Sequence, residues 1–373
     1  MIYFDSAATS LQKPKAVSAA VSRAMTTMAS PGRGCHKPAM LAADTVLNCR
    51  MLLSSYFNVS EPECVVFTFN ATHSLNIAIN SLVSPGDKVV ISGYEHNSVT
   101  RPLQALNADV HVARSPLFDQ PAAIEAFREA LPGAQCAVCT HVSNVFGYIL
   151  PIKEISDLCR QYNVPLIIDA SQSAGTLPID LSGLGAAFIA MPGHKGLMGP
   201  QGTGVLLCGH EAKPVLYGGS GSNSTMNTMP DYLPDRLEAG THNVAGIAGL
   251  EQGVRFVMSK PEGAVLSHER KLCSAFAEKI SSIPDVKVFY DKSMSCQTGV
   301  LSMYSARMDS DLIAEKLGKE GICVRAGLHC SPTAHETVGT IEQGTVRFSF
   351  SPFNTMAEVA YASDILTKIL NNM

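Results

Sequence analysis

From about residue 60 the chain alternates short apolar runs with stretches whose apolar positions recur at helical spacing. The runs at 64–68, 88–92, 109–113, 135–141, 164–169, 186–191 and 203–208 are read as buried strands. The stretches 74–82, 122–130 and 152–162 between them are read as helices. Buried strands that alternate with helices predict an α/β architecture with a mostly parallel central sheet. Ligands of such sheets bind beyond the carboxyl ends of the strands, so the residues just after each run are where chemistry is to be sought.

Residues 211–243 break this pattern with a glycine- and serine-rich loop, 218–224, followed by Pro230 and Pro234. A helical pattern then runs from about 244 to 283, interrupted near Pro261. We place a domain boundary in that pattern. Residues 1–255 form the larger domain, with 1–12 free to pack on the smaller one, and 256–373 form a smaller α+β domain ending in a helix over 355–370. There is no internal repeat.

The chain's 373 residues exceed one simple core, and 46% hydrophobic with 16% charged residues is the balance of a globular protein. Lys and Arg number 28 against 32 Asp and Glu, a net charge of −4 with no basic run, which argues against a nucleic-acid partner. Met1-Ile2-Tyr3-Phe4-Asp5 lacks the basic start and apolar core of a signal peptide, and the uncharged stretch 64–83 carries too many Asn, Thr and His residues to span a bilayer. The expected location is cytoplasmic, with no membrane partner. Eleven Cys, an odd number, are scattered along a long chain, and most are expected to be reduced and buried. Cys136 and Cys139 form a CxxC, but inside an apolar run that reads as a buried strand, so no metal or redox site is expected there.

Lys195 lies in Pro192-Gly193-His194-Lys195-Gly196, directly after the run 186–191. A lysine in a strand-end turn between glycines can reach the floor of a pocket, although most lysines are solvated surface groups. Asp169 closes the apolar run 164–169, and a carboxylate there needs a partner: a helix N-terminus, a cation, or the pyridinium nitrogen of a cofactor.

The order of these motifs is more specific than any one of them. Asp169-Ala170-Ser171-Gln172-Ser173-Ala174-Gly175, followed by Gly193-His194-Lys195, resembles the class V aminotransferase family of fold-type I pyridoxal 5′-phosphate (PLP) enzymes. Within it the chain resembles the cysteine desulfurase and selenocysteine lyase group. The similarity includes Phe4-Asp5-Ser6-Ala7-Ala8-Thr9, Arg33-Gly34-Cys35-His36 and Phe67-Thr68-Phe69-Asn70-Ala71-Thr72. It continues through Glu95-His96-Asn97-Ser98, Ser143-Asn144-Val145-Phe146-Gly147 and Arg236-Leu237-Glu238-Ala239-Gly240-Thr241. Near the C-terminus, Arg325-Ala326-Gly327-Leu328-His329-Cys330 and Val346-Arg347 match the family's Arg-x-Gly-x-His-Cys segment and Val-Arg strand.

The resemblance implies a role for each position. Lys195 carries PLP as a Schiff base and takes the substrate's Cα proton. Asp169 faces the pyridine nitrogen, Gln172 the ring hydroxyl, and His96 lies over the ring and shuttles protons. Asn144 sits beside cofactor and substrate. Ala71, Thr72 and His194 contact the phosphate, and Thr241 is lent to the phosphate of a partner subunit in a homodimer. Arg347 grips the substrate carboxylate, with His36 also at the substrate, and Cys330 is the nucleophile. The implied reaction converts L-cysteine to L-alanine and leaves a persulfide on Cys330 for a sulfur-acceptor protein. Alternatives on the same scaffold are selenocysteine lyase, β-elimination and transamination; outside enzymes, a PLP-binding scaffold or sulfur carrier. Three positions depart from the family pattern: Pro192 stands where Ser is usual, His73 where an acid is usual, and His242 where Pro is common.

Overall fold

The computed structural model describes residues 1–31, 34–222 and 225–371. Arg33 of the Arg-Gly-x-His segment, and Asn223 and Ser224 of the glycine-rich loop, lie outside the described residues. Strand β1 is Ile2–Tyr3. All seven sequence runs are strands: β2 (Val65–Thr68), β3 (Lys88–Ser92), β4 (Asp109–Ala113), β5 (Cys136–Thr140), β6 (Leu166–Asp169), β7 (Phe188–Pro192) and β8 (Gly204–Cys208). Five further strands follow: β9 (Val286–Phe289), β10 (Val300–Ser305), β11 (Ile322–Cys323), β12 (Arg325–Gly327) and β13 (Thr345–Ser349).

The first sheet has the order β2-β8-β7-β6-β5-β3-β4. The pairs from β7 through β6, β5 and β3 to β4 are all parallel, whereas β8 runs antiparallel to both β7 and β2. The reason is connection length. A parallel return needs a crossover of a dozen or more residues, and the turn between β7 and β8, which holds Lys195, has no room for a helix.

Apolar side chains alternate between the two faces of this sheet. On β5, Ala137 and Cys139 enter one buried cluster while Cys136 and Val138 enter the other. The CxxC is thus split across the sheet. Among the described residues no group of three or more His, Cys, Asp or Glu is placed to hold a metal ion. Nor is any helix among them long and apolar enough to cross a membrane.

The second sheet is antiparallel, in the order β12-β13-β10-β9. Its own apolar cluster includes Leu272, Phe276, Leu301, Phe348 and Leu366. Phe4 is fully buried in this cluster, with its ring 4.8 Å from that of Phe350. β1 pairs in parallel with β11, and the chain then crosses from β13 to the Lys195 turn, where Ser10 N–H donates to the His194 carbonyl at 3.0 Å. The long C-terminal helical pattern is two helices, Val244–Met258 and Ala264–Ile280, separated by a turn in which Gly263 takes φ 73°.

On the second of these helices Glu269 is buried, and its carboxyl group makes no hydrogen bond or ion pair with any described residue. Burial pushes its pKa up to about 8. The folded protein therefore holds a proton there that the unfolded chain releases near the ordinary carboxyl value. The stabilisation is complete below that value and is lost as pH rises toward about 8. Glu269→Gln is expected to raise the melting temperature increasingly from pH 5 to pH 8.5, reaching about 1–3 kcal/mol of relative stability. Thermal unfolding of both proteins across that range checks it, and a constant difference between them would remove the titration.

Candidate active site

Lys195 sits in the tight turn after β7. The turn is closed by Gly193 N–H donating to the Thr203 carbonyl at 2.8 Å and Gly199 N–H to the Gly193 carbonyl at 2.7 Å. Both flanking glycines are sterically required. A Cβ on Gly193 would lie 2.1 Å from Thr203 Oγ1, and one on Gly196 2.3 Å from the Ala174 carbonyl oxygen. The Lys195 amine makes no hydrogen bond or ion pair with any described residue. Burial pushes its pKa down to about 8, against the opposing pull of Asp169. An amine of that kind is partly neutral near physiological pH, far more so than an ordinary lysine, and its neutral form can attack a carbonyl.

One cavity is lined by Lys195, Asp169, Gln172, His96, Asn144, Ala71, Thr72, His194 and Pro192. Asp169 ends β6 and is 3% exposed, and its Oδ1 accepts the Ser171 N–H at 2.9 Å. No group among the described residues hydrogen-bonds the other carboxylate oxygen. Opposite lies the N-terminus of the helix Ala71–Leu82, capped by Asn70 Oδ1, which accepts from His73 N–H at 2.9 Å. The Ala71 and Thr72 N–H groups have no acceptor among the described residues, as expected of a helix start that faces an anion.

His96 accepts the Ser98 N–H on Nδ1 at 3.0 Å, which places the imidazole proton on Nε2. A free imidazole titrates near neutrality. Burial pushes the His96 pKa down to about 4, with Lys195 and nearby arginines adding to the effect, so His96 is neutral at physiological pH. His194 is pushed down to about 4 by burial as well, and its Nδ1 lies 3.0 Å from Thr9 Oγ1. Gln172 Nε2 donates to the Ala7 carbonyl at 3.0 Å and so ties the cavity wall to the N-terminal segment. Pro192 lines the cavity at the end of β7, with no hydroxyl to offer a phosphate.

Asn144 joins this cavity to the second sheet. Its Nδ2 donates to the His329 carbonyl at 2.8 Å, and its Oδ1 accepts from Ser331 Oγ at 2.7 Å. Cys330 lies between those two residues. The Asn97 N–H donates to the Cys330 carbonyl at 2.8 Å, so the loop is held from both sides. His329 and Cys330 both adopt left-handed backbone, φ 52° and 58°, a conformation that non-glycine residues keep only where surrounding contacts impose it. The Cys330 thiol is exposed, with Arg325 Nη2 3.9 Å from its sulfur. After the loop, the helix Pro332–Val338 is fastened to the first sheet's side by Thr337 Oγ1, which donates to the Gly93 carbonyl at 2.8 Å. Arg347 on β13 is 1% exposed; its Nη1 donates to the Asn144 carbonyl at 3.0 Å and its Nη2 to Asp5 Oδ1 at 2.7 Å.

Four expected site residues do not line this cavity: Cys330 and Arg347, which are tied to it through Asn144, and His36 and Thr241, which lie elsewhere. His36 caps the helix Lys37–Tyr56, accepting from Ala39 N–H at 3.4 Å, and is exposed. It lines a separate groove together with Thr241 and His242. That groove is anchored by a buried pair in which Arg50 Nη2 lies 2.8 Å from Glu238 Oε2, with His242 Nε2 3.3 Å from the same oxygen. Sequence reasoning assigned no role to Asp5, Arg325, Ser331 or Glu95, although all but Ser331 lie inside motifs it singled out. Glu95 accepts the Thr140 N–H at 2.7 Å, and burial pushes its carboxyl up to about 8.

A buried amine without a partner, a buried carboxylate with one oxygen open to the cavity, and two free N–H groups at a helix start match an aldehyde, a pyridinium nitrogen and a phosphate. The residues present fit PLP. These features, at the strand ends of a mostly parallel sheet, define a fold-type I PLP enzyme. The chain belongs to the aminotransferase class-V family, whose model matches residues 2–361, and enzymes of this family depend on PLP.

A protein named "Probable cysteine desulfurase" from Methanothermobacter thermautotrophicus is 30% identical over 99% of this chain and 94% of its own length. A protein of the same name from Pyrococcus abyssi is 28% identical over 100% of this chain and 95% of its own. The apo structure of the cysteine desulfurase from Thermococcus onnurineus superposes with a TM-score of 0.90 at 29% identity, covering 100% of this chain and 95% of that one. A cysteine desulfurase from Escherichia coli, solved in an S-sulfonic acid form, gives 0.86 at 25% identity, again covering 100% and 95%.

Proposed function

We propose that this chain is a PLP-dependent cysteine desulfurase. It converts L-cysteine to L-alanine and takes the sulfur as a persulfide on Cys330. The observation that carries the reading is the placement of Asn144, which lines the Lys195 cavity and also holds the residues on either side of Cys330. An exposed thiol is thereby fixed next to a cavity suited to an amino acid.

PLP, when bound, supplies an aldehyde that captures amines and a ring that withdraws electrons from the substrate's Cα. Lys195 holds it through that aldehyde, and Asp169 keeps the ring nitrogen protonated. The N–H groups of Ala71 and Thr72 take the phosphate, with His194 beside them. His96, neutral and with its proton on Nε2, packs at the cofactor as a hydrogen-bond donor. Gln172 faces the ring hydroxyl. Arg347 binds the substrate's carboxylate with its planar fork of donors. Lys195, released, accepts the Cα proton and returns it as the product forms. The Cys330 thiolate attacks the substrate sulfur, the carbon–sulfur bond breaks, and the sulfur stays on Cys330. One thiol and one cysteine become one persulfide and one alanine, so atoms and electrons balance.

Residues 1–255 and 256–373 are read as the large and small domains; the separate apolar cluster around the second sheet, which also takes in Phe4, supports this. The groove that holds His36, Thr241 and His242 supports a homodimer in which these residues complete the partner's site. The exposure of Cys330 supports transfer of sulfur to an acceptor protein, and eleven cysteines without a disulfide among the described residues support a cytoplasmic setting.

Holoenzyme given L-cysteine and dithiothreitol is expected to release alanine and sulfide in equal amounts. Alanine from L-selenocysteine alone would reassign the protein as a selenocysteine lyase. Pyruvate with ammonia would make it a β-eliminating enzyme.

A further inference from the structure

Arg347 and Asp5 are 342 positions apart in sequence and joined by a 2.7 Å ion pair. The guanidinium is almost fully buried, and the Asp5 side chain is 20% exposed. Nη1 is taken by the Asn144 carbonyl and Nη2 by Asp5, while the Arg347 Nε–H is buried with no acceptor. A second cation stands alongside: Arg325 is the cross-strand neighbour of Arg347 in the β12–β13 register, and it makes no ion pair among the described residues. Asp5 is thus the one carboxylate among the described residues that pairs with either of these two neighbouring guanidinium groups, and it pairs with Arg347. It is held rigidly, since Ser349 N–H donates to the Phe4 carbonyl at 2.8 Å and Ala7 N–H to Ser349 Oγ at 2.9 Å.

We infer that Asp5 is the resident counter-anion of Arg347 and a positioning residue for the substrate's carboxylate. The inference rests on Arg347 binding that carboxylate. A buried guanidinium needs a negative partner before substrate arrives, and Asp5 provides it. The incoming carboxylate shares the guanidinium with Asp5 instead of replacing it, because Asp5 is fixed by the backbone around it. The remaining donors, Nε–H among them, define where the substrate sits. Mutual repulsion of the two carboxylates keeps affinity for simple acids low. Asp5 therefore trades binding strength for orientation.

The test uses holoenzyme and propionate, which has the substrate's carboxylate but no amine, as a competitor of L-cysteine. In Asp5→Asn, propionate inhibition is expected to tighten about tenfold while kcat falls about tenfold. Asp5→Ser, neutral and smaller, is expected to behave likewise, and Asp5→Glu to inhibit as the wild type does. A loosened site would bind propionate more weakly, so unchanged or weaker inhibition in both neutral variants would overturn the inference. Propionamide separates this from the underlying reading. If it inhibits wild type as well as propionate does, Arg347 is not the carboxylate anchor, and the role given to Asp5 falls with it.

Discussion

Cys330→Ala holoenzyme is expected to load PLP as the wild type does and to lose about 10²–10³-fold or more of its alanine formation from L-cysteine. The loss is specific because no other cysteine lies in the loop that Asn144 holds on both sides of Cys330. Among the other cysteines, Cys139, Cys136 and Cys273 are fully buried, and burial pushes their thiols far from ionisation. Cys330 is exposed, has Arg325 Nη2 at 3.9 Å, and is flanked by residues that Asn144 holds, donating to the His329 carbonyl and accepting from Ser331 Oγ. Alanine and persulfide are read together: amino-acid analysis for the first, and for the second a mass increment of one sulfur atom on the peptide that contains Cys330. Wild-type rates in the mutant would show that sulfur leaves without a protein nucleophile. Activity on L-selenocysteine is expected to survive better, since selenolate is the better leaving group.

Lys195→Ala is expected to abolish turnover by about 10³-fold or more, because one side chain serves both as covalent anchor and as base. Borohydride reduction fixes a pyridoxyl group to the wild-type chain at Lys195 and is expected to fix none in the mutant. The depressed amine pKa adds a sign that can be checked. The neutral amine is the form that attacks an aldehyde, and its population rises as pH rises through about 8 and then levels off. Reconstitution of apoenzyme with PLP is therefore expected to quicken up to about pH 8 and to plateau above it. A rate that kept rising toward the ordinary lysine value would mean that Lys195 is solvated in the apo protein.

The layered α/β fold and six strands of its main sheet were written in local patterning, because a buried strand must be apolar along its whole length whatever surrounds it; the seventh, β4, was expected to be buried too but is an edge strand with Asp109, Val110 and His111 exposed. Lys195 and Asp169 were legible for the same reason: a charge at the end of such a run stands out. Other features were not legible. The reversal of β8 follows from a connection too short for a crossover, and only the assembled sheet shows which strands then become neighbours. The low pKa of His96 depends on a burial that residue type does not encode. His36 and Thr241 belong to motifs but lie in a groove away from Lys195, a separation that the motifs do not reveal.

By itself the sequence determined the family and the cofactor, and it pointed to the lysine, acid and thiol proposed to do the chemistry, since each sits in a short segment whose spacing survives without tertiary information. Only the tertiary structure decided what holds them. Asp5 meets Arg347 across 342 positions, and Asn144 meets Ser331 across 187. Contacts of that span arise when segments distant in sequence assemble, a global outcome of burying apolar surface that no local pattern contains.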